Sequence, residues 1–114
     1  TCSLIAISGA NLYPDCGEGF EEFKAWILQE GTPLALMMLD EPNIDPKDLG
    51  TIACPSLITA GSKDLISVEH TKLIADSIPD SELVIFQKAT HSSYIKRNPR
   101  WGRCMLDFFA RHGY

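Results

Sequence analysis

Three short apolar runs, each closed by turn-forming residues, constrain this chain more than anything else in it: Ser3 to Gly9, Ser56 to Gly61, and Glu82 to Gln87. They are nearly continuous in apolar residues rather than alternating, as strands buried on both faces are, and such strands belong to parallel sheets. Between the second and third runs, Ser67 to Ser77 places Val68, Leu73, Ile74 and Ile78 at helical spacing, and Pro79-Asp80 marks its end. Ser56 to Gln87 therefore reads as strand, helix, strand, the right-handed crossover unit of an α/β fold. After the third run, Pro99 opens a last helix whose apolar stripe, Trp101, Met105, Phe108 and Phe109, is spaced to lie on a sheet. The expected architecture is α/β, with three parallel strands and crossover helices between them.

The connection from Ala10 to Pro55 is longer than a simple crossover needs. Tyr13-Pro14-Asp15 forms a turn, and Phe20, Phe23, Trp26 and Ile27 then mark an amphipathic helix that stops near Gly31. A second apolar block, Pro33 to Leu39, precedes Glu41-Pro42-Asn43-Ile44-Asp45-Pro46, where two prolines forbid a regular helix interior. Residues 11–50 thus read as an insertion that enlarges the crossover. Its apolar residues either pack on the sheet or, for Trp26, Leu36, Met37 and Met38, roof a substrate pocket.

Composition sets the outer limits. With 114 residues the chain is expected to form one domain around one core, and no apolar run approaches the roughly 20 residues that cross a bilayer. Ten Lys plus Arg against 15 Asp plus Glu give a formal charge of −5. The basic cluster Lys96, Arg97, Arg100 and Arg103 is short, and this balance repels a phosphate backbone, so nucleic acid is not an expected partner. Cys2, Cys16, Cys54 and Cys104 form no C-x-x-C pair and have no histidine at ligand spacing, so neither a metal nor a cofactor is expected. Thiols in a chain this rich in aliphatic residues, with no secretory signal at its start, are expected to be reduced, in a cytoplasmic setting.

Two polar residues stand at the ends of neighbouring strands. Asp64 follows the run ending at Gly61, and His91 follows the run ending at Gln87. Alone, each has an ordinary account: Asp64 as a turn former or helix cap, His91 as a polar residue leaving the sheet. Parallel neighbours end at the same edge, however, where open α/β sheets place their ligands. The two side chains are therefore expected side by side, as an acid and a base. His70, within the helix, and His112, near the C-terminus, are expected to be surface residues.

The string Ile52-Ala53-Cys54-Pro55-Ser56-Leu57-Ile58-Thr59-Ala60-Gly61-Ser62-Lys63-Asp64-Leu65-Ile66, followed by Leu73-Ile74-Ala75, Ile78-Pro79, Leu83-Val84-Ile85 and Ala89-Thr90-His91-Ser92, resembles the C-terminal part of the α/β-hydrolase fold family. In that family a Gly-x-x-Asp turn carries the catalytic acid and the next strand is followed by the catalytic histidine. The resemblance implies these roles for Asp64 and His91. It also implies that residues 1–114 are the C-terminal portion of a hydrolase domain, a partial α/β-hydrolase fold with 11–50 as a cap-like insertion and the three strands in chain order, Ser56 to Gly61 in the centre.

The family's nucleophile sits on a G-x-S-x-G elbow, and this sequence has none. Ile7-Ser8-Gly9-Ala10 lacks the first glycine, and Ser92 and Ser93 follow the histidine directly. The implied function is a hydrolase of carboxylic esters or related acyl substrates, using a Ser-Asp-His triad of which this chain holds two members. The 114 residues alone, which begin on an apolar strand with no initiator methionine, are expected to be an inactive fragment. The alternative is a small non-catalytic α/β module that binds a partner. Leu4 to Ile7 is flat, uncharged and without lysine or proline. A homodimer through strand 3–9, or pairing of that strand with an N-terminal half, is expected.

Overall fold

A computed structural model describes residues 4–17, 19–91, 93 and 99–113. Ser3, Cys2, Ser92 and the pair Lys96 and Arg97 lie outside the described residues. The strands are β1 (Ile5–Ser8), β2 (Ser56–Gly61) and β3 (Ser81–Phe86), all parallel, in the order β1-β2-β3. The expected α/β class and the central position of β2 are borne out. All six residues of β2 are buried, whereas no residue of β1 is. The third strand starts one residue earlier than the apolar run suggested, because Ser81 pairs in register with Ser56. It ends before Gln87, where Lys88 enters the left-handed region at φ 64° and turns the chain. β1 ends similarly, at Gly9 with φ 59°, a conformation glycine reaches at little cost.

Register decides which side chains share a face. Ile7, Ile58 and Leu83 lie level across the sheet, and Leu12, Ile74, Ala75 and Ile78 pack with them to form the main core. Helix α3 (Val68–Ser77) covers this face. One residue further along, Ser8, Thr59 and Val84 are level and point the other way. On that side Val84, Phe86, Ala89, Trp101 and Cys104 form a second cluster beneath helix α4 (Pro99–Arg111). The Thr59 hydroxyl donates to Ser8 Oγ at 2.9 Å and the Trp101 indole N–H reaches the same oxygen at 3.4 Å, satisfying polar atoms inside that layer.

The helices follow local rules. Ser67 caps α3, its hydroxyl accepting the His70 N–H at 3.1 Å. The buried face of α3 consists of His70, Thr71, Ile74 and Ala75, so the helix is turned to present His70 and Thr71 as well as aliphatic residues. In α4 Phe108 is buried, Trp101, Met105 and Phe109 are half-buried, and Leu106 on the far side is exposed. His112 packs its ring on Phe108 at 4.6 Å and is half-buried, not the free surface residue expected. A bidentate pair between Arg111 and Glu82, at 2.6 and 2.8 Å, fastens the end of α4 to β3.

Between β1 and β2 lie α1 (Phe20–Glu30), α2 (Pro33–Asp40) and a 3-10 helix (Pro46–Thr51). Gly31 closes α1 in the left-handed conformation, and Thr32 caps α2 with Pro33 at its first position. The two helices pack on each other, and Ile27 is wholly buried. Among the described residues no helix is long and apolar enough to cross a membrane. Truncating Phe108, 1% exposed at the base of α4, should cost about 3–5 kcal/mol in urea denaturation. Leu106→Ala, at 70% exposure on the same helix, should leave the midpoint nearly unchanged.

Candidate active site

β2 and β3 end at one edge, and the loops beyond them are bound to each other. The Ser62 N–H donates to Phe86 O at 3.0 Å, the Lys63 N–H to Ala89 O at 2.8 Å, and the Lys88 N–H to Ser62 Oγ at 2.7 Å. Gly61 makes this possible. A Cβ built there would stand 2.2 Å from Ala89 O and 2.9 Å from Thr90 O, so a side chain would force the loops apart.

That contact sets Asp64 against His91. Asp64 Oδ1 lies 2.9 Å from His91 Nδ1 and also accepts the Ile66 N–H at 3.1 Å. The structure thus brings the two sequence candidates together. Asp64 does not cap α3, since Ser67 holds that position, though its bond to Ile66 is a local turn of the kind aspartate favours. The Asp64 side chain is fully buried while that of His91 is 52% exposed. A carboxylate sealed from water meets a ring open to it, and the buried oxygen Oδ2 has no hydrogen-bond partner among the described residues. Its negative charge is therefore compensated mainly through the other oxygen, by the Ile66 amide and the imidazole. With Nδ1 facing the carboxylate, Nε2 is the nitrogen turned to other work.

His91 borders a cleft of about 170 Å³. Pro14, Phe20, Phe23, Met38, Leu65 and Ile66 give it apolar walls, with Asn11 and Cys16 as polar points. Of the four residues expected to roof a pocket, Met38 lines this cleft. Trp26, Leu36 and Met37 instead belong to the exposed apolar surface of α1 and α2. Sequence reasoning missed Phe20, Phe23 and Leu65 as lining residues because helical spacing shows which residues share a face, not what that face meets. Cys16 shares the cleft with His91, but burial pushes its thiol above the ordinary 9.0, which keeps it protonated and a weak nucleophile. The Ser8 hydroxyl is engaged with Thr59 and Trp101, and Ser93 Oγ accepts the Thr90 N–H at 2.8 Å. Cys16, Cys54 and Cys104 are free thiols.

No family model matches the chain. Over 53 residues it is 40% identical to proline iminopeptidase PfmaB of Pestalotiopsis fici, a match covering 46% of this chain and 19% of that protein. Among solved structures, an α/β-hydrolase enzyme from the metagenome of lagoon sediments at Mar Chica, Morocco, superimposes with a TM-score of 0.71 at 14% identity, covering 98% of this chain and 52% of that one. A thermophilic esterase from Thermogutta terrifontis gives 0.69 at 17% identity, covering 98% and 57%. The meta-cleavage product hydrolase of Pseudomonas fluorescens gives 0.64 at 15% identity, covering 93% and 55%. Three parallel strands with helices between them make this chain a part of the α/β-hydrolase fold, as the sequence resemblance implied. It spans about half the length of these solved hydrolases.

Gly61→Ala tests the clamp on the Asp64–His91 pair. It should lower stability by about 1–3 kcal/mol through overpacking and should remove the Nδ1 proton signal of His91 from the imidazole nitrogen spectrum. An unchanged spectrum would show that the loops hold the pair without close contact at Gly61.

Proposed function

We propose that this chain is the acid–base part of a hydrolase of carboxylic esters or related acyl substrates, with His91 as general base and Asp64 as the carboxylate that orients it. The observation that carries this reading is the 2.9 Å contact between a buried carboxylate and a half-exposed imidazole at the C-terminal edge of a parallel sheet, beside a cleft. Asp64 fixes the ring with its proton on Nδ1, so that Nε2 can take a proton from an attacking hydroxyl and return it to the leaving group. The carboxylate also stabilises the imidazolium formed between those steps. The serine that this chemistry needs has no G-x-S-x-G elbow in these 114 residues, and in this reading it belongs to a longer protein of which they form the C-terminal portion.

Residues 11–50 serve as the cap in this reading. Their large apolar contributions to the cleft are Phe20, Phe23 and Met38, which suit an apolar acyl group. A volume of about 170 Å³ is close to the roughly 150 Å³ of an engineered apolar cavity that takes up benzene, which favours an acyl group of about that size.

Turnover of activated esters is the test. In the intact gene product, His91→Ala and Asp64→Asn should each lower kcat by about 10³–10⁴-fold. Turnover that survives His91→Ala would remove His91 from the role of base, and an intact gene product without any turnover would leave a non-catalytic interaction module in place of the hydrolase. The 114 residues alone should match their own His91→Ala control.

The same reading gives β1 a partner. Its outer edge pairs with no strand among the described residues, and Ile5, Ala6 and Ile7 carry no charge that would discourage one. In the longer protein another strand of the sheet would cover it. In the isolated chain a second copy would do so, pairing antiparallel about a two-fold axis. Sedimentation at micromolar concentration should show a dimer that Ile5→Lys disperses, whereas a monomer unaffected by Ile5→Lys would show that this edge is covered another way.

A further inference from the structure

The sequence suggested a surface role for His70, and the structure gives it a different one. Its residue surface is 6% exposed, and its Nε2 accepts the backbone N–H of Leu12 at 2.9 Å, across 58 residues of chain. Leu12 is itself 3% exposed, so its N–H has little access to water as a substitute partner. Accepting at Nε2 places the ring proton on Nδ1. Tyr13 sets its ring edge-on to the imidazole at a centroid distance of 4.7 Å.

Leu12 and Tyr13 belong to the segment that supplies Asn11, Pro14, Cys16 and Gly17 to the cleft. That segment is fixed to the loop after β2 at two further points. The Ser67 N–H donates to Cys16 O at 2.7 Å, and Gly17 lies so near Leu65 that a Cβ would stand 2.0 Å from its carbonyl oxygen. Asp64 precedes these contacts directly. One wall of the cleft is thus tied to the segment carrying the carboxylate, and His70 is the tie that can change its protonation.

We propose that His70 is a positioning residue: by accepting the Leu12 amide it fastens the cleft wall, residues 11–17, to the segment that carries Asp64. The importance of this for catalysis rests on the function proposed above, while the fastening itself does not. Protonation would turn Nε2 into a donor facing the Leu12 N–H, a buried clash of two donors that only displacement of the wall relieves. Tyr13, Asp15, Cys16 and Glu69 line the shallow groove beside the ring. Neither these nor the charged residues of the elements packed on α3, Lys47 and Asp48 of the 3-10 helix and Glu82 of β3, move its titration. Burial does, holding the imidazole below its ordinary 6.5. The folded ring therefore binds its proton less readily than the unfolded one. Its contribution to stability is complete above about pH 6.5 and is lost as the pH falls through the lowered value.

The experiment is nitrogen and amide-exchange NMR on the 114-residue chain, between about pH 7.5 and pH 5, with the Ile58 amide in β2 as internal reference. His70 should show the Nδ1–H tautomer, and Leu12 protection relative to Ile58 should fall about tenfold as His70 titrates. His70→Gln, whose side-chain carbonyl can accept the same N–H without titrating, should keep Leu12 protected throughout the range, and His70→Ala should lose that protection throughout. Leu12 protection that stays constant through the titration of His70, or that survives His70→Ala, would overturn the proposal. If His70→Ala does not fold, the wild-type titration and His70→Gln decide the matter. No ester is used, so this result stands apart from the test of hydrolysis.

Discussion

The in-register parallel pairing of β2 with β3, from Ser56 opposite Ser81 to Gly61 opposite Phe86, is the constraint on which the rest of the structure depends. Parallel neighbours finish at the same edge, so the loops carrying Asp64 and His91 must emerge together. Pairing brings them to within a few ångströms, and the hydrogen bonds of Ser62, Lys63 and Lys88 close the remaining distance. A slip of one residue would move every side chain of β3 to the opposite face, taking Val84 away from Trp101 and Leu83 out of the main core. The burial of β2 on both faces makes such a slip costly. The meeting of Asp64 and His91 is inherited from the sheet.

The candidate site sorts its groups by exposure. Asp64 is sealed and His91 is open, so the carboxylate holds one side of the ring while the rest of the ring faces water. The opposite arrangement, an open carboxylate and a buried ring, would let water compete for the aspartate and would disfavour the imidazolium. His70 illustrates that second environment within the same molecule. Buried among Leu12, Tyr13 and α3, it is held neutral and serves as an acceptor of a backbone amide. Two histidines of one chain thus take different tasks because one faces a carboxylate and water while the other faces an amide and a ring.

Much of the architecture is written in local sequence. Continuous apolar runs, Ser67 as a cap, Gly31 as a stop and Pro33 and Pro99 as helix openers act over a few residues, and the strands and helices formed close to where these signals stand. The Asp64–His91 pairing was also legible, because strand ends in a parallel sheet share an edge by topology. The cleft was not. Of Trp26, Leu36, Met37 and Met38, Met38 alone lines it, because the way α1 and α2 pack on each other and stand beside Leu65 and Ile66 depends on packing spread over many residues.

The sequence by itself determined the three parallel strands, the crossover helix and the placement of Asp64 and His91 at one edge, since each follows from short-range pattern and chain connectivity. Tertiary structure alone decided the burial of His70, the close approach of Gly61 to Ala89 and the approach of Gly17 to Leu65. Each of these joins residues far apart in the chain, and whether a polar ring is buried or a glycine is crowded depends on what a distant segment brings against it. No periodicity in the sequence records that.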